Sequence, residues 1–99
     1  MIEIRQTRTF SVWFARLRDP SAKARIDVRI RRLSLGNVGD VKPVGGGVSE
    51  MRVDYGPGYR VYFCRSGAAI VVLLCGGDKR GQERDIGTAR LLARELKEQ

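Results

Sequence analysis

The block from Glu50 to Ile86 constrains the fold more than any other part of the chain. It runs EMRVDYGPGYRVYF, then Ser66-Gly67, then the apolar run AIVVLLC (69–75), then GGDKRGQERDI. Along 48–55, Glu50, Arg52 and Asp54 alternate with Met51 and Val53; along 59–65, Arg60 and Tyr62 alternate with Val61 and Phe63. Alternation of period two places each set on opposite faces of a strand. Gly56-Pro57-Gly58 and Ser66-Gly67 are turn signals, so these segments predict three successive antiparallel strands. Residues 69–75 are apolar on both faces, as a central strand requires. With Tyr55 opposite Tyr59, Arg52 would face Tyr62 and Asp54 would face Arg60. Arg52 and Arg60 then share the polar face, and Lys79-Arg80 follow the last strand. Four cations from neighbouring strands point to a phosphate site. A cross-strand Asp54–Arg60 pair on an inert surface is the competing reading for one arginine alone.

Upstream, Ile2–Gln6 alternates and predicts a first strand that joins the sheet at an edge or in parallel. Thr9 is positioned to cap a short helix with Phe10, Trp13, Phe14 and Leu17 at i, i+3, i+4 and i+7. That stripe reads as core, with base stacking by Trp13 as the lesser alternative. Asp19-Pro20 starts a second helix that ends near Leu35, before Gly36-Asn37. Ala22, Ile26, Ile30 and Leu33 form its apolar stripe, with Arg25, Arg29 and Arg32 beside it. Gly36–Gly47 reads as a flexible glycine-rich connection; it lacks the Gly-Lys-Ser/Thr ending of a phosphate-binding loop. A terminal helix carries Ile86, Ala89, Leu92, Ala93 and Leu96 on one stripe.

The 99 residues suffice for one domain spanning 1–99. The expected class is α+β: two N-terminal helices packed on a four-stranded, mainly antiparallel sheet, plus a C-terminal helix. The sheet face with Arg52, Arg60 and Tyr62 is expected to stay open. Nineteen basic against 11 acidic residues give +8, a charge suited to nucleic acid or an acidic protein partner. Residues 1–32 alone hold nine basic and three acidic side chains. The chain has no histidine, which excludes His-based acid–base pairs and most zinc sites. Cys64 and Cys75 lack metal spacing and read as reduced thiols. No run reaches membrane-spanning length and the start does not read as a signal peptide, so a cytosolic protein is expected.

VKPVGGGVSEMRVDYGPGYRVYF and LLCGGDKRGQERDI, in this order, resemble the RelE/ParE superfamily of toxins from bacterial toxin–antitoxin modules. Within it they are most similar to the HigB-like branch, the addiction module killer proteins. The resemblance covers nearly the whole chain and implies a microbial RNase fold. It also implies a helix-turn-helix antitoxin as partner, operator DNA contacted only through that antitoxin, no membrane partner, and no cofactor or metal. RelE-like members cut mRNA on the ribosome by 2′-hydroxyl attack, so this branch implies a ribosome-dependent endoribonuclease that arrests translation. ParE-like members inhibit DNA gyrase instead, and an inactive homologue would serve only as the antitoxin's co-repressor.

For the nuclease, the resemblance assigns catalysis to Arg60, Arg52 and Lys79. Arg60 in GYR binds phosphate and stabilises the transition state, and Arg52 holds the phosphate from the other side. Lys79, if desolvated near other cations, shuttles protons. Arg80, Tyr62, Gln82 and Glu50 are expected to contact substrate. RelE's C-terminal tyrosine has no counterpart after Tyr62, which leaves Tyr62 and Glu50 as alternatives for proton transfer.

Overall fold

A computed structural model describes residues 1–98, in the order β1 (Glu3–Gln6), α1 (Arg8–Arg16), α2 (Pro20–Ser34), β2 (Val41–Gly45), β3 (Val48–Val53), β4 (Tyr59–Ser66), β5 (Ile70–Asp78), a 3-10 turn (Lys79–Gly81) and α3 (Gln82–Lys97). The five strands form one sheet in the order β1-β5-β4-β3-β2. The α+β class is as expected, but the strand count is five. β1 occupies one edge and pairs in parallel with β5, Glu3 opposite Ile70 through Gln6 opposite Leu73; all other pairings are antiparallel.

The additional strand is β2, in the segment expected to be a flexible connection. Pro43 has no N–H to donate, so its place is an edge strand, and Lys42 beside it helps to blunt that edge. Gly45, Gly46 and Gly47 all have positive φ (91°, 65° and 78°), which glycine adopts without steric cost. The triplet is therefore a hairpin turn into β3, with a register shift between Pro43 and Gly45.

α1 begins two residues earlier than the sequence pattern suggests. Thr7, not Thr9, is the N-cap: its Oγ1 accepts the Phe10 N–H at 3.1 Å. Asp19 caps α2 as expected, accepting from the N–H groups of Ser21 and Ala22, with Pro20 at the first helical position. α2 ends at Ser34, and Gly36 follows with φ 90°.

The helices divide between the two faces. α1 and α2 cover one face, where Phe10, Ile26 and Leu33 meet Met51, Val53, Val61, Phe63, Val71 and Leu73. α3 covers part of the other, placing Ala89 and Ala93 against Tyr62, Leu74, Cys75 and Val48. The face expected to be open is thus partly closed. Alanine at the two most buried positions of α3 lets the helix settle close to the strands, with Ile86, Leu92 and Leu96 closing its flanks. A bulge in β5 helps: Tyr62 pairs with Cys75 and Phe63 with Leu73, so Leu74 is the extra residue. Leu74 and Cys75 then both face α3.

β5 runs three residues further than its apolar run, through Gly76-Gly77-Asp78. Neither glycine is needed for φ; both are needed for space. A Cβ on Gly76 would lie 2.3 Å from the Trp13 indole, and one on Gly77 1.9 Å from an Asp85 carboxylate oxygen. The sheet thins to bare backbone where α1 and α3 approach it from opposite sides.

Candidate functional site

The hairpin register differs from the sequence reading by two residues. Val53 pairs with Tyr59 and Arg52 with Arg60, leaving 54–58 as the connection. Within it Gly58 N–H donates to the Tyr55 carbonyl (3.1 Å), and Gly56 and Gly58 both have positive φ. A shift of two leaves every side chain on its face, so the shared face of Arg52 and Arg60 survives. The expected Arg52–Tyr62 and Asp54–Arg60 pairings do not form. Tyr62 instead lies opposite Glu50.

Two arginines directly opposite each other repel. Glu50, two residues along β3 on the same face, supplies a counter-charge. Its carboxylate is fully buried. Oε2 accepts from the Tyr62 hydroxyl at 3.0 Å and from the Gln82 amide at 2.9 Å. Oε1 lies 3.7 Å from Arg52 Nε and 4.0 Å from Arg60 Nε. Those distances give charge attraction without a hydrogen bond, and all three atoms are buried with no hydrogen-bond partner in the protein. Arg60 is anchored separately, its NH1 donating to the Gly58 carbonyl at 2.8 Å.

Burial is the main reason that the Tyr62 phenol is pushed well above its ordinary pKa, followed by its hydrogen bond to Glu50. Tyr62 is therefore a neutral donor locked onto Glu50. Tyr62 and Glu50 are both inaccessible, so neither meets a substrate directly as the sequence reading expected; they set the arginines in place. Gln82 does the same from α3, tying that helix to the sheet through Glu50.

Arg52, Arg60 and Lys79 line one cleft of about 480 Å³, closed by Gly56, Pro57 and Gly58 and rimmed by Asp40 and Asp54. Arg80 is not among them. It turns away and pairs with Asp78 at 3.2 Å, while Asp78 also accepts the Arg80 N–H at 2.9 Å and so caps the 3-10 turn. These bonds to Arg80 hold the Asp78 carboxyl below the usual carboxylate range. Lys79 is exposed, so the desolvation that a proton-shuttling role presupposed is not met.

No family model matches the chain. A protein of Haemophilus influenzae, itself described as uncharacterized, is 50% identical over 95 residues, covering 96% of each chain. The chain belongs to that protein's family. At this identity the two proteins share a fold, and the relative's description names no activity.

Two rim residues escaped sequence reading as site residues. Asp54 was visible beside Arg52 on the polar face, but was assigned to a cross-strand pair. Asp40 carried no local signal. It reaches the cleft because its carbonyl accepts the Arg52 N–H at 3.0 Å, and its carboxylate stands 3.9 Å from Arg52 Nε. The arginine stripe of α2 is partly structural: Arg25 stacks 4.5 Å from the Tyr55 ring centre, and Arg29 donates to the Arg52 carbonyl. Cys64 and Cys75 are free thiols, and burial pushes Cys75 up to about 12, so it is unreactive as a thiolate. Among the described residues no group of three or more Cys, Asp or Glu side chains is placed to hold a metal ion, and no helix is long and apolar enough to cross a membrane.

Proposed function

We propose that this protein is the toxin of a toxin–antitoxin module of RelE/ParE type, in its HigB-like branch, and that it cleaves mRNA on the ribosome. One observation carries the reading: Arg52 and Arg60, opposite each other on neighbouring strands, flank a cleft that Lys79 also lines. Two guanidinium groups held against their mutual repulsion are a prepared receptor for an anion with several oxygens, and a phosphodiester is such an anion. The +8 charge adds long-range attraction to a polyanion.

In the proposed reaction the ribose 2′-oxygen bonds to the adjacent phosphorus while the bond to the 5′-oxygen breaks, giving a cyclic phosphate and a 5′-hydroxyl. Arg52 and Arg60 stabilise the additional negative charge on the phosphorane. The rim carboxylate of Asp54 accepts the 2′-hydroxyl proton, water protonates the departing 5′-oxygen, and Lys79 adds its positive charge at the phosphate. Glu50, Tyr62 and Gln82 are positioning residues: the buried Glu50 carboxylate, fixed by Tyr62 and Gln82, offsets the repulsion of the two guanidinium groups and keeps both beside the cleft. A helix-turn-helix antitoxin remains the proposed partner, in line with the resemblance.

The test is growth after induced expression. Wild type arrests growth, and Arg60→Ala, shown by thermal melting to fold, does not. Arrest that persists in the folded Arg60→Ala variant would refute the nuclease and favour a target such as gyrase, which needs no phosphate-cleaving cleft.

A further inference from the structure

A second pocket adjoins the cleft and plays no part in the reaction above. Pro57 lines both. Neighbouring residues divide between them: Arg60 and Lys79 face the cleft, Tyr59 and Arg80 the pocket. It occupies about 510 Å³, within the range of about 300–1,000 Å³ usual for small-ligand sites.

Three features give it chemical character. The first is aromatic: Trp13 and Tyr59 form one wall, their ring centres 6.4 Å apart at 65°, and both are only half-buried. Phe10 and Phe14 stack with each other in the core, and Phe10 backs the indole at 5.7 Å, so Trp13 is held rigidly. The second is bare backbone: β1 pairs only with Ile70–Leu73, so Gly76 and Gly77 lie beyond the end of that partner strand. The third is Asp85, on α3 across the pocket from Trp13, its side chain 16% exposed and Arg84 Nε 3.7 Å from one oxygen. Its carboxyl is pushed up from the ordinary aspartate value, chiefly by burial. A desolvated carboxylate gains most from a ligand that brings N–H donors.

A flat ring, a stacking wall, a guanidinium plane and a carboxylate acceptor together describe recognition of an unstacked base. Guanine presents two parallel donors, N1–H and the 2-amino group, that match the two oxygens of one carboxylate. Uracil presents one imino donor between two carbonyl oxygens, which a carboxylate repels.

We infer that this pocket is a nucleobase subsite, selective for guanine, with Trp13 as its stacking wall and Asp85 as its edge reader. Its role in choosing where RNA is cut rests on the proposed nuclease activity, whereas base binding itself does not. The base it holds belongs to a nucleotide flanking the phosphate at Arg52 and Arg60. Arg84 and Arg80 stand at its mouth, where the backbone of the same strand would pass.

The chain has a single tryptophan, so one indole N–H resonance in a ¹H–¹⁵N spectrum reports on the pocket. Guanosine 5′-monophosphate, uridine 5′-monophosphate and ribose 5-phosphate are titrated into the wild-type protein and into Asp85→Asn. The guanosine nucleotide is expected to shift the indole signal saturably, with the uridine nucleotide about tenfold weaker or more. Ribose 5-phosphate should leave it in place, and Asp85→Asn should weaken guanosine binding by a similar factor. A ribose phosphate response equal to that of guanosine would show a phosphate site on Arg80 and Arg84 and overturn the inference, as would no response to any nucleotide. Should Asp85→Asn fail to fold, the wild-type ranking of the three ligands decides. Cleavage of mRNA without an indole response sinks the subsite alone. An indole response without cleavage keeps the subsite and sinks the nuclease.

Discussion

The two faces of the sheet are built on opposite principles. Beneath α1 and α2 the sheet is apolar throughout, with large side chains such as Phe10, Phe63, Ile26 and Leu33 filling the interior. Beneath α3 the helix offers small residues, Ala89 and Ala93, and the sheet buries a carboxylate bonded to a tyrosine and a glutamine with two arginines leaning over it. A buried ion group is a poor source of stability compared with an apolar core of the same volume. Its presence on one face only, next to a cleft, teaches that the first face holds the fold and the second holds a charge arrangement in place.

That contrast breaks most visibly at Phe63. Phe63→Ala removes a fully buried ring from the apolar face and is expected to cost about 3–5 kcal/mol in chemical denaturation. The proposed RNA cleavage, measured on the fraction that stays folded, should be little changed. Glu50→Ala attacks the other face. It strands the Tyr62 hydroxyl and the Gln82 amide and leaves Arg52 and Arg60 without their shared counter-charge, for a loss of about 2–3 kcal/mol once the partial exposure of Arg52 is discounted. Here activity should fall further than stability accounts for. Glu50→Gln, which keeps the shape and removes the charge, should recover most of the melting temperature and little of the activity.

Gly76→Ala sits where the two faces come closest. The added methyl would enter the Trp13 ring, so an overpacking cost of about 1–3 kcal/mol is expected, with a displaced Trp13 indole resonance as its signature. An unmoved resonance would mean that the indole is not seated on Gly76. The smallest effect belongs to Asp85. Its folded-state pKa is raised, so ionisation works against folding: the wild-type protein loses stability as pH rises from the unfolded aspartate value through the folded one. Asp85→Asn should therefore be slightly more stable than wild type at neutral pH and lose that advantage near pH 3. Melting curves across that range check the sign.

Much of the first face was legible in the sequence, because helical and strand periodicities report burial directly. The Asp19-Pro20 start, the α2 stripe and the alternation of Met51, Val53, Val61 and Phe63 all carried local signals. The cap at Thr7 was missed because Thr9 also precedes the aromatic stripe and spacing does not separate them. β2 was invisible because Pro43 and three consecutive glycines read as strand breakers, although its partner β3 follows directly across the glycine turn. The second face was legible only in its residue types. Arg52 and Arg60 could be placed together by alternation, which survives a register error of two. The burial of Glu50 and Tyr62 depends on where α3 docks, which the pattern of 50–62 does not encode, whereas Arg80 departs because Asp78, two residues earlier, pairs with it. Gly76 and Gly77 look like turn residues in sequence; they belong to a strand because Trp13 and Asp85 need the space.

The most direct test of the cleft is primer extension on a defined mRNA in a reconstituted translation system, with and without ribosomes, comparing wild type with a folded Arg60→Ala variant. Cuts in coding sequence that require ribosomes and fall by about a hundredfold or more in the variant are expected. No cuts from the wild-type protein, or equal cutting by the variant, would contradict the assignment of RNA cleavage to the paired arginines.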